Sequence, residues 1–422
     1  MITKAKQLGK SKFVKDVGKT TSAKIITVLI GFALKIIIVR LLTKEDFGLI
    51  AVLTSLSTYF SMMADFSTHG ITQRNIVKEK DNYKEHYHIY VNTKLITLSV
   101  SVFLFTITAY ILGYFEHKVI MTIIIVNMIF GVLSALPKVL MESFEQFGIY
   151  SKIMIYVAVI NLVLQSSFVY MFQTVESLFI ALFFTALSSM YLYYKFVGID
   201  FKVVYSFQSV KWIKIKELLK DAFPLFMGSF FYLLYYRIDT IMIEKMVGLE
   251  AAAEYSLGFS MADQVLEILW VQFIIVFYPK MIKMYQESKE LLFRRLKQVS
   301  FILLLVYSIL FIISYIIGEY MFGLVFGEQY IYSGYIFTWI IVGMFFTALF
   351  SLYYRVLVIA NKQTVYLYLM MFGAITNFLL NLYLIDIYGS FGAVLTTLFI
   401  NIIIALVAIV LANKELKSAK NN

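Results

Sequence analysis

Apolar residues recur along this chain in runs of about 20, separated by short polar and basic stretches. That is the length an α-helix needs to cross a hydrocarbon layer of roughly 30 Å. The pattern predicts twelve spanning helices, near 22–42, 47–66, 90–113, 119–141, 153–172, 175–194, 222–243, 254–278, 298–317, 334–354, 365–385 and 391–411. A membrane β-barrel does not fit. Its strands alternate apolar and polar positions over about ten residues, whereas 119–130 and 302–313 are almost unbroken apolar runs.

Composition agrees. Of 422 residues, 61% are hydrophobic and only 15% charged, and mean hydropathy is +0.81. Too few charges remain to cover a water-facing surface of this size. The absence of cysteine excludes disulfides, thiol catalysis and Cys-based metal sites. The histidines (His69, His86, His88, His117) lie in loops or at span ends, and none of their spacings suits a metal. With three prolines (Pro137, Pro224, Pro279) and no Pro-rich or Gly/Ser-rich linker, no soluble domain is expected. The basic stretch Lys4–Lys19 leads into a long span with no small-residue exit, unlike a cleaved leader.

The net charge of +11 changes meaning once it is placed on the topology. Twenty-nine Lys and Arg fall in one alternate set of loops and four in the other, and the rest lie within or at the ends of spans. Such a bias sets orientation. Both termini are expected in the cytoplasm, with the basic face against anionic headgroups rather than nucleic acid. No loop on the opposite side exceeds about 15 residues, which leaves little room for extramembrane catalysis of the kind a polysaccharide polymerase or ligase needs.

The halves repeat weakly in register. An offset of 205 carries Lys15-Asp16 onto Lys220-Asp221 and Arg40 onto Lys245; an offset of 216 carries Asn161 and Gln165 onto Asn377 and Asn381. The division expected is a six-helix bundle over 1–195, a cytoplasmic basic linker over 196–221 and a second six-helix bundle over 222–422. Parallel repeats with a site between them are one plan for alternating access.

Several short motifs stand in order around these spans. They are Arg40-Leu41-Leu42-Thr43 and Asp46-Phe47-Gly48; Pro224, Arg237-Ile238-Asp239, Val247-Gly248 and Ala251-Ala252-Ala253-Glu254-Tyr255-Ser256; Phe277-Tyr278-Pro279; and Asn377-Phe378-Leu379-Leu380-Asn381 with Tyr388-Gly389-Ser390-Phe391-Gly392-Ala393. The chain resembles, over nearly its whole length, the polysaccharide-export branch of the multidrug/oligosaccharidyl-lipid/polysaccharide (MOP) superfamily, in particular Wzx-type O-antigen flippases. The resemblance implies an all-α, V-shaped, MATE-like membrane fold of twelve helices in the bacterial inner membrane. It implies movement of undecaprenyl-pyrophosphate-linked repeat units to the periplasmic leaflet, driven by an ion gradient (H+ or Na+). It also implies membrane lipids, a polysaccharide polymerase and chain-length proteins as partners, and no cofactor. The chain has no G-x-x-x-x-G-K-[ST] loop for ATP. A cation-coupled multidrug antiporter of the related branch is the rival reading.

A flippase must give a diphosphate and its sugars a polar route, because uncompensated polar groups and charges are costly in hydrocarbon. Intramembrane charges are the first candidates. Lys35, Arg40, Arg237 and Lys138 are the expected cationic lining, with Lys138 and Glu142 four residues apart behind Pro137. Asp263, Glu267, Asp239 and Asp65 are the candidates for ion coupling. Asp263 and Glu267 share one helix face by their i,i+4 spacing and either couple an ion or pair with Arg237. Asp239, two residues from Arg237, points elsewhere and pairs across the bundle. Lys24 and Lys94, near span ends, are expected to snorkel outward. Asn161/Gln165 and Asn377/Asn381 are polar helix pairs that either bridge helices or bind sugar. Tyrosines such as Tyr232, Tyr235, Tyr236, Tyr353 and Tyr354 either stack on sugar rings or belong to interfacial belts.

Overall fold

A computed structural model describes residues 2–198, 210–362 and 364–417. Among them the regular structure is entirely helical. The first helices are α1 (Ile2–Leu41), α2 (Lys44–Asp65), α3 (Thr68–Lys78), α4 (Tyr83–Ile111), α5 (Lys118–Ser143), α6 (Phe147–Phe172) and α7 (Val175–Phe196). After the stretch 199–209, which lies outside the described residues, come α8 (Trp212–Met246), α9 (Leu249–Leu266), α10 (Gln272–Glu287), α11 (Lys289–Phe326), α12 (Ile331–Ile359), α13 (Thr364–Tyr388) and α14 (Ser390–Lys417).

Eleven stretches among the described residues are long and apolar enough to cross a membrane. They match eleven of the twelve expected spans one to one. The twelfth, 222–243, is helical and lies within α8 but falls outside that set. Arg237, Asp239 and the tyrosines at 232, 235 and 236 dilute its hydropathy. A helix that carries this much polarity between apolar neighbours is one that serves the interior.

Packing divides the chain into two units. One holds Met1–Leu42 with Leu56–Phe230, the other Thr43–Ser55 with Phe231–Asn422. Helices α2 and α8 thus each contribute to both. In the first unit α1 packs on α6, α5 on α7 and α6 on α7. The opening turns of α8, which include the end of the expected linker, belong here: Leu218 and Ala222 form a small core with Ile71 of α3, and Phe226 stacks on Phe66 at 4.2 Å. In the second unit α12 is central, against α9, α11 and α14, with α13 on α14.

The start of α2 shows what one of the short motifs does. Thr43 and Asp46 cap the helix reciprocally: the Thr43 hydroxyl donates to the Asp46 carboxylate at 2.7 Å, and the Asp46 N–H donates to Thr43 Oγ1 at 3.1 Å. Gly48 then lets the helix press on the backbone of Leu249, where a Cβ would sit inside the carbonyl oxygen. Lys44 completes the joint by an ion pair with Glu254 at 2.6 Å.

Lys94 does not snorkel. Its side chain is 3% exposed. The ammonium donates to the Asp65 carbonyl at 2.6 Å and also engages the Asp65 carboxylate. Thr97 donates to Ala64 O at 2.7 Å. The lysine therefore caps the C-terminus of α2, where a cation is favoured by the helix dipole and a carboxylate offsets its desolvation.

Candidate site in the second unit

A dense group of charged and aromatic side chains lies on α8 and its neighbours. Tyr232 and Tyr236, one turn apart on α8, stack at 5.2 Å with 20° between planes. Tyr236 donates its hydroxyl proton to Asp263 of α9 at 2.5 Å. Arg237 lies over the rings of Tyr236 at 5.7 Å and Phe259 at 5.8 Å. Its guanidinium stands 4.0 Å from the Asp263 carboxylate, and both side chains are about one-third exposed, 33% and 36%. Cation, carboxylate and aromatic faces thus share one partly open position. Arginine suits phosphate there, since its planar fork matches two oxygens at once, and aromatic faces with adjacent polar groups suit sugar rings. Glu267, one turn beyond Asp263, opens a π-helical turn, Glu267–Val271. Such single turns often mark functional positions in membrane and soluble helices alike.

Beneath this surface lies a second, closed cluster. Asp239, 1% exposed, accepts from the Tyr255 hydroxyl at 2.5 Å, from Asn381 Nδ2 at 2.6 Å and from the Thr397 hydroxyl at 3.0 Å. Asn381 also donates to Asn377 Oδ1 at 3.0 Å. Four helices (α8, α9, α13 and α14) converge on one carboxylate. Its partners are neutral donors, and no basic side chain among the described residues pairs with it. Asn381 Oδ1 and Asn377 Nδ2 are buried without a hydrogen-bond partner among the described residues. A carboxylate so enclosed is costly as a bare anion. The cluster is chemically suited to hold a proton or a small hard cation, which oxygen ligands prefer.

The repeat in the first unit lacks the acid. Gln165 donates to Asn161, and Thr185 of α7 donates to the same oxygen at 3.2 Å. The offset of 205 places Leu34 where the second half has Asp239. Both amide pairs are bonded within themselves and to a neighbouring helix.

The remaining sequence candidates are spread over the first unit. Lys35 and Arg40 lie on α1, Lys35 half-buried and Arg40 exposed in its last turn. Lys138 stands over the Tyr193 ring at 4.7 Å, while Glu142, its expected local partner, bonds His69 at 2.9 Å. Asp65 is committed to Lys94 as described. The structure therefore joins Arg237 to Asp263 and Asp239 to Asn381. Sequence reasoning missed Tyr255 and Thr397 as partners of Asp239, although Tyr255 stood in a quoted motif.

Long apolar helices in two units, with charged and aromatic side chains gathered inside one, define a multi-pass membrane protein. Comparison with known proteins narrows the class. Residues 13–285 match the family model described as "Polysaccharide biosynthesis protein", and the chain belongs to that family. It is 26% identical over 341 residues to the capsular polysaccharide biosynthesis protein CapF of Staphylococcus aureus, covering 75% of this chain and 78% of CapF. Among solved structures, an inward-facing multidrug resistance MATE family transporter of the MOP superfamily superimposes with a TM-score of 0.74 at 13% identity, over 94% of this chain and 96% of that one. The lipid II flippase MurJ in an inward closed conformation gives 0.70 at 14% identity, over 92% and 86%. These likenesses establish the MOP fold.

Proposed function

We propose that the chain is a flippase for lipid-linked polysaccharide repeat units in the bacterial inner membrane. Its cargo is an undecaprenyl-pyrophosphate-linked glycan of the O-antigen or capsular kind, carried from the cytoplasmic to the outer leaflet. The observation that carries this reading is Arg237, held within α8 among stacked tyrosines and beside Asp263. A cation with aromatic faces in hydrocarbon is matched to an anionic sugar lipid, and a drug antiporter for cationic compounds has no use for it. The CapF relative supports surface polysaccharide as the product class, and MurJ supports a lipid-linked cargo on this fold.

Transport runs by alternating access between the bundles 1–195 and 222–422, with both termini cytoplasmic as the 29-to-4 distribution of basic residues favours. Lys35, Arg40 and Lys138 contribute cationic lining from the first bundle. The driving ion resides at Asp239, whose closed oxygen-rich cluster is better suited to it than the more open Asp263 and Glu267. A polymerase and chain-length proteins take up the flipped units.

Deletion of the gene with analysis of surface polysaccharide tests the reading. The expected result is loss of polymer with lipid-linked repeat units accumulating in the cytoplasmic leaflet. Arg237→Ala is expected to restore less than a tenth of the polymer while reaching the membrane in normal amount. Unchanged polysaccharide with altered dye efflux would favour the multidrug antiporter, the reading that the likeness to a MATE transporter keeps in view.

A further inference from the structure

Arg355 is the second half-buried arginine of this unit, and its surroundings are unusual. It lies one turn before the end of α12. Its guanidinium stands over the Tyr278 ring of α10 at 5.5 Å. Its Nε is buried and finds no hydrogen-bond partner among the described residues, and none of their carboxylates forms an ion pair with it. The charge is thus held by a ring face, which offsets only part of the cost of removing it from water. A guanidinium with an unused donor in such a place is matched to a planar pair of anionic oxygens.

The neighbouring rings lead from Arg355 toward Arg237. Tyr354, next in the chain, stacks on Phe350 at 5.6 Å and 16°. Tyr354 also meets Tyr366 of α13 at 4.9 Å. Tyr366, Phe350 and Tyr232 pack against one apolar core, and Tyr232 stacks on Tyr236, over which Arg237 lies. A row of half-buried aromatic rings therefore has an arginine at each end.

We propose that Arg355, with Tyr278 beneath it, is a binding subsite for the isoprenoid-linked diphosphate, at the end of the aromatic row opposite Arg237. The inference rests on the flippase reading and adds a residue to it. The diphosphate docks on Arg355 first, and sugar rings lie along Tyr354, Tyr366 and Tyr232 toward Arg237. With α12 oriented as the charge distribution expects, Arg355 faces the cytoplasmic leaflet, where the cargo is made.

The test uses the full-length protein in nanodiscs, titrated with farnesyl diphosphate, with farnesol as the uncharged control and phosphatidylglycerol as the competing lipid phosphate. Wild type is expected to bind the diphosphate at least tenfold more tightly than farnesol. Arg355→Gln should erase that preference, and Arg355→Lys should recover part of it as a point charge without the bidentate fork. Tyr278→Leu should weaken binding several-fold. Undiminished diphosphate binding by a folded Arg355→Gln protein would overturn the subsite, as would complete displacement by phosphatidylglycerol, which would make it an ordinary headgroup site. If Arg355→Gln misfolds, the lysine variant decides: binding equal to wild type in affinity and in selectivity over phosphatidylglycerol counts against the bidentate site. Gene deletion separates the two claims. Export lost on deletion but restored by Arg355→Gln removes the subsite alone, whereas export unaffected by deletion removes the flippase reading.

Discussion

At the scale of single residues, the interior of the second unit is organised by what each charge is allowed to meet. Arg237 has a carboxylate at 4.0 Å and two rings, so it is solvated by the protein without being fully neutralised. Asp239 meets only hydroxyls and amides. All three groups donate to it, an arrangement that stabilises negative charge. Asp239→Asn replaces one accepting oxygen with a donor that faces donors. We expect a loss of stability of about 1–3 kcal/mol, the cost of leaving a buried polar group unsatisfied. We also expect flipping by reconstituted protein to lose its response to an imposed H+ or Na+ gradient. A variant that still accelerates with the gradient as wild type does would move the ion site elsewhere. None of the Asp239 partners was legible as such in the sequence, where Asn381 stood out only as the pair of Asn377. Tyr255 and Thr397 lie 16 and 158 residues away, and only the packing of α9 and α14 brings them in. Lys94 was misjudged for a similar reason. Periodicity says that a lysine lies near a helix end, but not that another helix terminates beside it.

At the scale of helices, the apolar runs fixed eleven elements because length and hydropathy are local properties. The twelfth was legible by position, yet its polarity is the reason it matters. Contacts between helices were less visible, since they depend on small residues whose role is set by the partner. Gly48 is the clearest case. The motif Asp46-Phe47-Gly48 is a cap followed by a place where α2 touches the backbone of Leu249. Gly48→Ala forces α2 and α9 apart, and overpacking of this kind costs about 1–3 kcal/mol. Gly131, with open space around it, is the control: there alanine is expected to be neutral or slightly stabilising, by up to about 1 kcal/mol, through helix propensity. Thermal unfolding of the purified variants measures both. Equal melting temperatures for the two would mean that the close approach at Gly48 carries no energy.

At the scale of the whole molecule, the two halves that the sequence suggested by repetition are not the two units that packing defines. Sequence similarity follows the ancestry of segments, whereas packing follows what each segment touches once folded. The stretch from Thr43 to Ser55, which is the first half of α2, packs with the second unit, and α8 up to Phe230 packs with the first. One segment from each half of the chain is therefore grouped with the unit made mostly of the other half. Anyone building hybrids from two related exporters meets this directly. A junction placed between Gly198 and Val210, at the apparent midpoint, gives each parent's core a foreign segment. A junction at Phe230, with residues 43–55 taken from the donor of the second unit, keeps every core single-parent. The second kind of hybrid should reach the membrane at several times the level of the first, and equal levels would refute the division. Cargo preference in such hybrids should then travel with the aromatic row and its two arginines, so that one graft could retune which glycan a cell displays.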